Sequence, residues 1–173
     1  MTTYTWNNGH ELLTTTVDGV VTRIYSYTQA GHLDTAIVNG LTTTFAYNGD
    51  GLRLRMTVGS SSTIYVHDYG GNGRILYEEG GLYATSKHYL YGGSQCIAEL
   101  INADDTDAQW QYYHRDGNGL VRHTTSSTGT LLLSWTYSPE GLVLEGEENL
   151  ITNLDCGMGG VYDWSTGLIY GFV

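Results

Sequence analysis

One spacing constrains this sequence above all others. An aromatic residue, any residue and a second ring recur along the chain as Tyr4-Thr5-Trp6, Tyr25-Ser26-Tyr27, Phe45-Ala46-Tyr47, Tyr65-Val66-His67, Tyr89-Leu90-Tyr91, Tyr112-Tyr113-His114 and Trp135-Thr136-Tyr137. Successive triplets begin 21, 20, 20, 24, 23 and 23 residues apart. So constant a period marks a repeat array, in which each unit buries its apolar face by stacking on its neighbours. The units are not helical, because apolar residues between triplets alternate with period two. Val21, Arg23, Tyr25 and Tyr27 fall on one face, with Val20, Thr22, Ile24 and Ser26 on the other. Leu41, Thr43, Phe45 and Tyr47 repeat the scheme, as do Leu52, Leu54, Met56 and Val58.

Turn chemistry falls between these segments. Asn-Gly pairs begin at Asn8, Asn39, Asn48, Asn72 and Asn118, and Asp-Gly pairs at Asp18, Asp50 and Asp116. Such pairs accept the positive φ angles of tight hairpins. Thr14-Thr15-Thr16 and Thr42-Thr43-Thr44 add β-branched strand positions. The prediction is an all-β chain, a repetitive antiparallel hairpin meander in a curved or spiralling open sheet. It forms one domain over 1–173, of about eight units of about 20–25 residues each. Equivalent aromatics then stack into ladders, where a tyrosine ring packs while its hydroxyl reaches a neighbour. The 24 Gly and 15 Tyr fit this reading, whereas one Pro and 14% charged residues exclude collagen and coiled coils. A hydrophobic share of 40% excludes disorder.

The triplet followed by Asp or Asn and Gly resembles the YD repeat of RHS-type proteins, whose relatives include polymorphic toxins, toxin-complex shells and teneurins. Three segments carry the resemblance: Tyr47-Asn48-Gly49-Asp50-Gly51-Leu52-Arg53-Leu54, the run from Tyr112 to Arg122, and Tyr162-Asp163-Trp164-Ser165-Thr166-Gly167-Leu168-Ile169-Tyr170. The resemblance makes Tyr162, Asp163 and Gly167 repeat-signature positions alongside the triplet residues. It implies a β-ribbon that in long members spirals into a hollow shell around a cargo, and an extracellular or cell-surface location. Family members usually run to many hundreds of residues, so the chain is expected to be a fragment, a processed product or a miniature member. The Asp-Pro motifs associated with self-cleavage are missing, Pro139 being the sole proline. Autoproteolysis and a sealed cage are therefore not carried over.

Charge narrows the partners. Of a net charge of −11, residues 1–98 carry −2 and residues 99–173 carry −9. Such a surface repels phosphate backbones, which argues against nucleic acid. No stretch approaches the apolar length of a membrane span, and the N-terminus has no signal-peptide pattern. Cys96 and Cys156 fit neither zinc nor redox spacing.

Catalytic look-alikes have plainer explanations. His114-Arg115-Asp116 mimics a kinase triplet without a phosphate loop, and Gly70-Gly71-Asn72-Gly73 lacks the Lys that would make it a phosphate cradle. His67 and His114 stand in for ladder aromatics rather than ligating metal. Asp104, Asp105 and Asp107, with Asn102, offer oxygens to Ca²⁺, but without the Gly and terminal Glu of an EF-hand. No catalytic constellation can be assembled, so no enzyme is expected. The expected function is structural: open sheet edges, with one lysine and one proline to guard them, join copies end to end into a filament or tube. The alternatives are a wall segment of an RHS toxin-encapsulating shell, and a carbohydrate-binding module stacking glycans on Trp110, Trp135 or Trp164.

Overall fold

Two kinds of turn build the fold. At Asp18-Gly19 and Asn39-Gly40 both residues take positive φ, 48° and 83° in the first pair and 51° and 83° in the second, giving two-residue type I′ turns matched to strand twist. The other kind begins at a side-chain acceptor within two residues of a triplet's end. Asn7 Oδ1 accepts from the N–H of Gly9 and of Glu11, both at 2.9 Å, and Asn48 Oδ1 accepts from Asp50 and Leu52 at 3.0 and 2.9 Å. Asp116 Oδ1 does the same for Asn118 and Leu120, at 2.9 and 3.0 Å. In each loop a backbone bond closes the end, such as Asn48 N–H to Leu52 O at 3.0 Å. The fourth residue turns left-handed, as at Gly51 with φ 81°. A Cβ on Gly51 would stand 2.8 Å from the His32 ring, which would have to turn aside, so glycine suits this position in both conformation and space.

The structure, a computed structural model, describes residues 1–70, 73–81, 85–103, 105–139, 143–146, 154–155, 160–163, 166 and 168–171. Thirteen strands follow in chain order: β1 Thr2–Trp6, β2 Leu12–Val17, β3 Val20–Tyr27, β4 Leu33–Val38, β5 Leu41–Tyr47, β6 Arg53–Val58, β7 Ser61–Asp68, β8 Arg74–Gly80, β9 Thr85–Gly92, β10 Gln95–Ile101, β11 Gln109–Arg115, β12 Val121–Ser126 and β13 Leu131–Ser134. They form one open sheet in which spatial order equals sequence order, the antiparallel meander expected of hairpin repeats. Two small sheets follow, β14 Thr136–Tyr137 with β15 Val143–Glu145, and β16 Leu154–Asp155 with β17 Gly160–Asp163 and β18 Leu168–Gly171.

The chain divides into two compact units, Met1–Tyr65 with Gly80–Ala84, and Val66–Glu79 with Thr85–Val173. In the first, Tyr25, Ala36, Thr43 and Val58 lie in register across β3 to β6, and all four are buried. Phe45, Met56 and Thr63 form a second buried row, and the Arg53 guanidinium lies 4.4 Å over the Phe45 ring. The opposite face is open: Ile24, Thr42, Thr44 and Ile64 are exposed. In the second unit Leu120, Val121, Leu133, Trp135 and Tyr137 form the apolar core, with Tyr113 packed against it.

A bulge recurs just before the last residue of a triplet, between Thr5 and Trp6, Ser26 and Tyr27, and Ala46 and Tyr47. It corrects one expectation. The common face of Leu52, Leu54, Met56 and Val58 is broken, because β6 starts at Arg53 and the bulge sets Arg53 opposite Tyr47. Arg53, not Leu54, is buried with Met56 and Val58.

Candidate functional site

The recurrent feature is a hydrogen bond from the end of a triplet to the start of an earlier strand. The last residue of a triplet, held at the bulge, sends its phenol back along the sheet. Tyr27 donates to Leu12 O at 3.0 Å, Tyr47 to Leu33 O at 2.8 Å, Tyr91 to Ile75 O at 2.8 Å and Tyr137 to Val121 O at 2.7 Å. Each bond joins residues 14 to 16 apart in sequence. The first residue of the triplet is the packing half, with Tyr25, Phe45, Tyr65 and Trp135 all buried. A carbonyl has a second lone pair beyond its sheet bond, so a phenol can cross-brace a strand without breaking the ladder.

One rung is built from different chemistry. In β11 the bulge falls between His114 and Arg115, and the acceptor loop begins at Asp116. The unit is therefore Tyr113-His114-Arg115, one residue out of step with the triplet read from sequence. Arg115 occupies the bracing position, donating from Nη2 to Cys96 O at 3.0 Å and from Nη1 to Gly119 O at 2.8 Å. Tyr112 and His114 are exposed, on the face opposite Tyr113. The signal was the spacing to the acceptor: Asn48 follows Tyr47 directly, as Asp116 follows Arg115.

His67 is buried in its triplet position with Nδ1 2.7 Å from Gly73 O. Tyr4 and Trp6 lie on β1, 57% and 58% exposed. Tyr162 and Asp163 belong to β17, while Asp104, Trp164 and Gly167 lie outside the described residues. Asp107 Oδ2 accepts from Asn102 Nδ2 at 3.3 Å, and Asp105 and Asp107 are exposed. Among the described residues no three His, Cys, Asp or Glu side chains gather as metal ligands. Trp135, expected as a glycan platform, is 4% exposed and cannot serve as one. Trp110 and Tyr112 remain on the open face of β11, their rings stacked 6.3 Å apart.

Sequence reasoning missed a buried ionic cluster. Lys87 Nζ lies 3.6 Å from Glu99 Oε2, with side chains 8% and 1% exposed. The Tyr89 phenol donates to Glu78 Oε1 at 2.7 Å. Burial first, then the charges of Glu78 and Glu99, push the Tyr89 phenol well above its ordinary value; burial and Glu99 do the same to Tyr113. Asp116 goes the other way. Desolvation would raise its carboxyl, but bonds from Arg122 and from the N–H groups of Leu120 and Asn118 outweigh it. Arg122 Nε donates to Asp116 Oδ2 at 2.8 Å, and its guanidinium lies 5.1 Å over the Tyr137 ring. The Asp116 loop is thus tied to the Tyr137 rung.

No protein-family model matches the sequence. It is 29% identical over 129 residues to the tRNA3(Ser)-specific nuclease WapA of Bacillus spizizenii, a match spanning 73% of this chain and 5% of that protein. Among solved structures, the fold is similar to a chain of the TcdB2-TccC3 complex with TM-score 0.65, 14% identity and coverage of 98% of this chain. The same likeness to TcdB2-TccC3-Cdc42 has TM-score 0.64, 14% identity and coverage of 99%. A Photorhabdus luminescens Tc holotoxin pore matches with TM-score 0.51, 13% identity and coverage of 98%. This chain spans 11% of each of those chains. At such identities the likeness is one of fold.

Proposed function

We propose that the chain is a non-enzymatic wall segment of RHS type, part of a shell at the cell surface or outside the cell. The carrying observation is the phenol-to-carbonyl brace of Tyr27, Tyr47, Tyr91 and Tyr137, which ties successive repeats into one sheet and leaves the other face open. Support comes from the YD-like motifs, from the match to WapA and from the fold likeness to Tc complex chains. Nuclease action belongs to WapA by name, and 5% of that protein is matched here. Electron microscopy of the natural gene product containing this chain tests the reading. Hollow particles are expected, and a solid or monomeric particle would overturn it. Incubation of the isolated chain with tRNA is expected to leave the tRNA intact.

The second reading, self-assembly edge to edge, is favoured by what the edge strands display. Sheet order puts β1 and β13 at the edges. Tyr4, Trp6, Leu131 and Leu132 are exposed there. Open edges with apolar side chains invite strand addition. A mass by light scattering that stays monomeric at high concentration would dismiss this reading. Glycan stacking rests on Trp110 with Tyr112, and flat tryptophan fluorescence across a glycan panel would dismiss it.

A further inference from the structure

We propose that His114 and His123 form a two-imidazole site for a divalent transition metal of the Cu²⁺, Ni²⁺ or Zn²⁺ class, on the open face of β11 and β12. The two residues are direct cross-strand partners. Their rings lie with centroids 4.6 Å apart and planes within 18°. Cross-strand pairing of this kind brings two side chains together on one face without any help from a loop. On an ion with metal–nitrogen bonds of about 2.0–2.1 Å, two ligating nitrogens sit roughly 3.4 Å apart in tetrahedral geometry. The stacked rings must splay so that their in-plane lone pairs converge on one ion, and the open face leaves room for those side-chain rotations: His114 is exposed and His123 half-buried.

The surroundings favour a metal over a bare stack. His114 Nε2 lies 2.8 Å from Thr125 Oγ1. With the imidazole as donor, that bond places the proton on Nε2 and leaves the Nδ1 lone pair for the ion. Metal-bound histidines are usually oriented by such a bond from the second ring nitrogen. Neutral imidazole suits copper, nickel and zinc, and copper binds tightest in the divalent series. Two protein ligands leave the remaining positions to water, so the site is exchangeable rather than a closed structural centre.

The site also has a mechanical consequence. Its ligands are on neighbouring strands and meet only when β11 and β12 are in register, so the ion binds the folded hairpin in preference to the unfolded chain and stabilises it. The test uses the full chain. Substoichiometric Cu²⁺ is expected to broaden the imidazole NMR signals of His114 and His123 before those of His10, His32, His67 and His88. Addition of NiCl₂ or ZnCl₂ is expected to raise the melting temperature, and a chelator to reverse it. His114→Gln and His123→Gln should each weaken binding by about tenfold or more, while His88→Gln leaves it unchanged. Broadening that begins at other histidines, or equal affinity in the pair variants and the parent, would overturn the site. The broadening experiment needs no variant and so does not depend on how the variants fold.

Discussion

The hydroxyl of Tyr137 donates a 2.7 Å hydrogen bond to the carbonyl oxygen of Val121, sixteen residues earlier, where both residues are buried. This rung anchors the core of Leu120, Val121, Leu133 and Trp135. Tyr137→Phe keeps the ring and removes the donor, leaving a buried acceptor short of one partner. The expected loss is about 1–2 kcal/mol in urea unfolding, with an unchanged m-value. Tyr27→Phe, at a half-buried rung, should cost less. Equal costs at the two positions would show that burial does not set the strength of the brace.

Arg115 holds two carbonyls, Cys96 O and Gly119 O, with one planar fork. Arg115→Lys offers a single ammonium that cannot span both geometries, so a loss of about 1–2 kcal/mol is expected although charge is kept. Arg115→Tyr restores the chemistry of Tyr27 and Tyr47 and should lose less than Arg115→Lys. Chemical denaturation of both variants decides the order.

The period and the hairpins were legible because each rests on local chemistry: alternating side chains, and Asn-Gly and Asp-Gly pairs. The frame at Tyr113 was not, because Tyr112-Tyr113-His114 offers rings at two registers. An arginine in a bracing position also carries no aromatic signal, although the spacing from Arg115 to Asp116 marked it. Bulges escaped for a related reason. One extra residue shifts every later side chain to the other face, and the alternation alone does not say where the shift occurs. That is how Arg53 replaced Leu54 in the core. The Lys87–Glu99 pair depends on two strands meeting, which neither strand's own pattern states.

That pair gives a test by double substitution. Lys87→Met leaves the Glu99 carboxylate, which is 1% exposed, without its cation. A loss of about 3–5 kcal/mol is expected from the single variant. Lys87→Met combined with Glu99→Leu removes both charges and should recover most of the loss. A double variant no more stable than the single would mean the pair contributes more than its own desolvation costs.

The raised phenols of Tyr89 and Tyr113 predict alkaline weakness. Below the ordinary phenol value of 10.0 both groups are neutral, folded or unfolded, and stability is unaffected. Above it the unfolded chain releases protons that the folded chain retains, so stability falls as pH rises from there toward the folded values. Each group contributes a slope of up to about 1.4 kcal/mol per pH unit. Tyr113→Phe should remove one share of that slope, read from denaturant midpoints at stepped pH. An unchanged slope would mean that Tyr113 is not held neutral by its surroundings.

Gly80 ends β8 with φ 90°, a conformation that side chains rarely adopt. A Cβ there would also lie 2.4 Å from the backbone carbonyl oxygen of Ser62, and the neighbouring Gly81 N–H donates to that same oxygen at 2.8 Å. Backbone cannot move aside as a flexible side chain would, so Gly80→Ala combines left-handed strain with a clash. The combined cost is expected to be about 2–4 kcal/mol, lowering the denaturation midpoint sharply. Gly40→Ala supplies the control: it shares a positive φ, 83°, but nothing lies within 4 Å of its Cβ. It should therefore lose only the conformational part, about 1 kcal/mol. The difference between the two variants measures the close approach to Ser62. Equal losses would show that the strand carbonyl yields and that conformation alone fixes glycine at position 80.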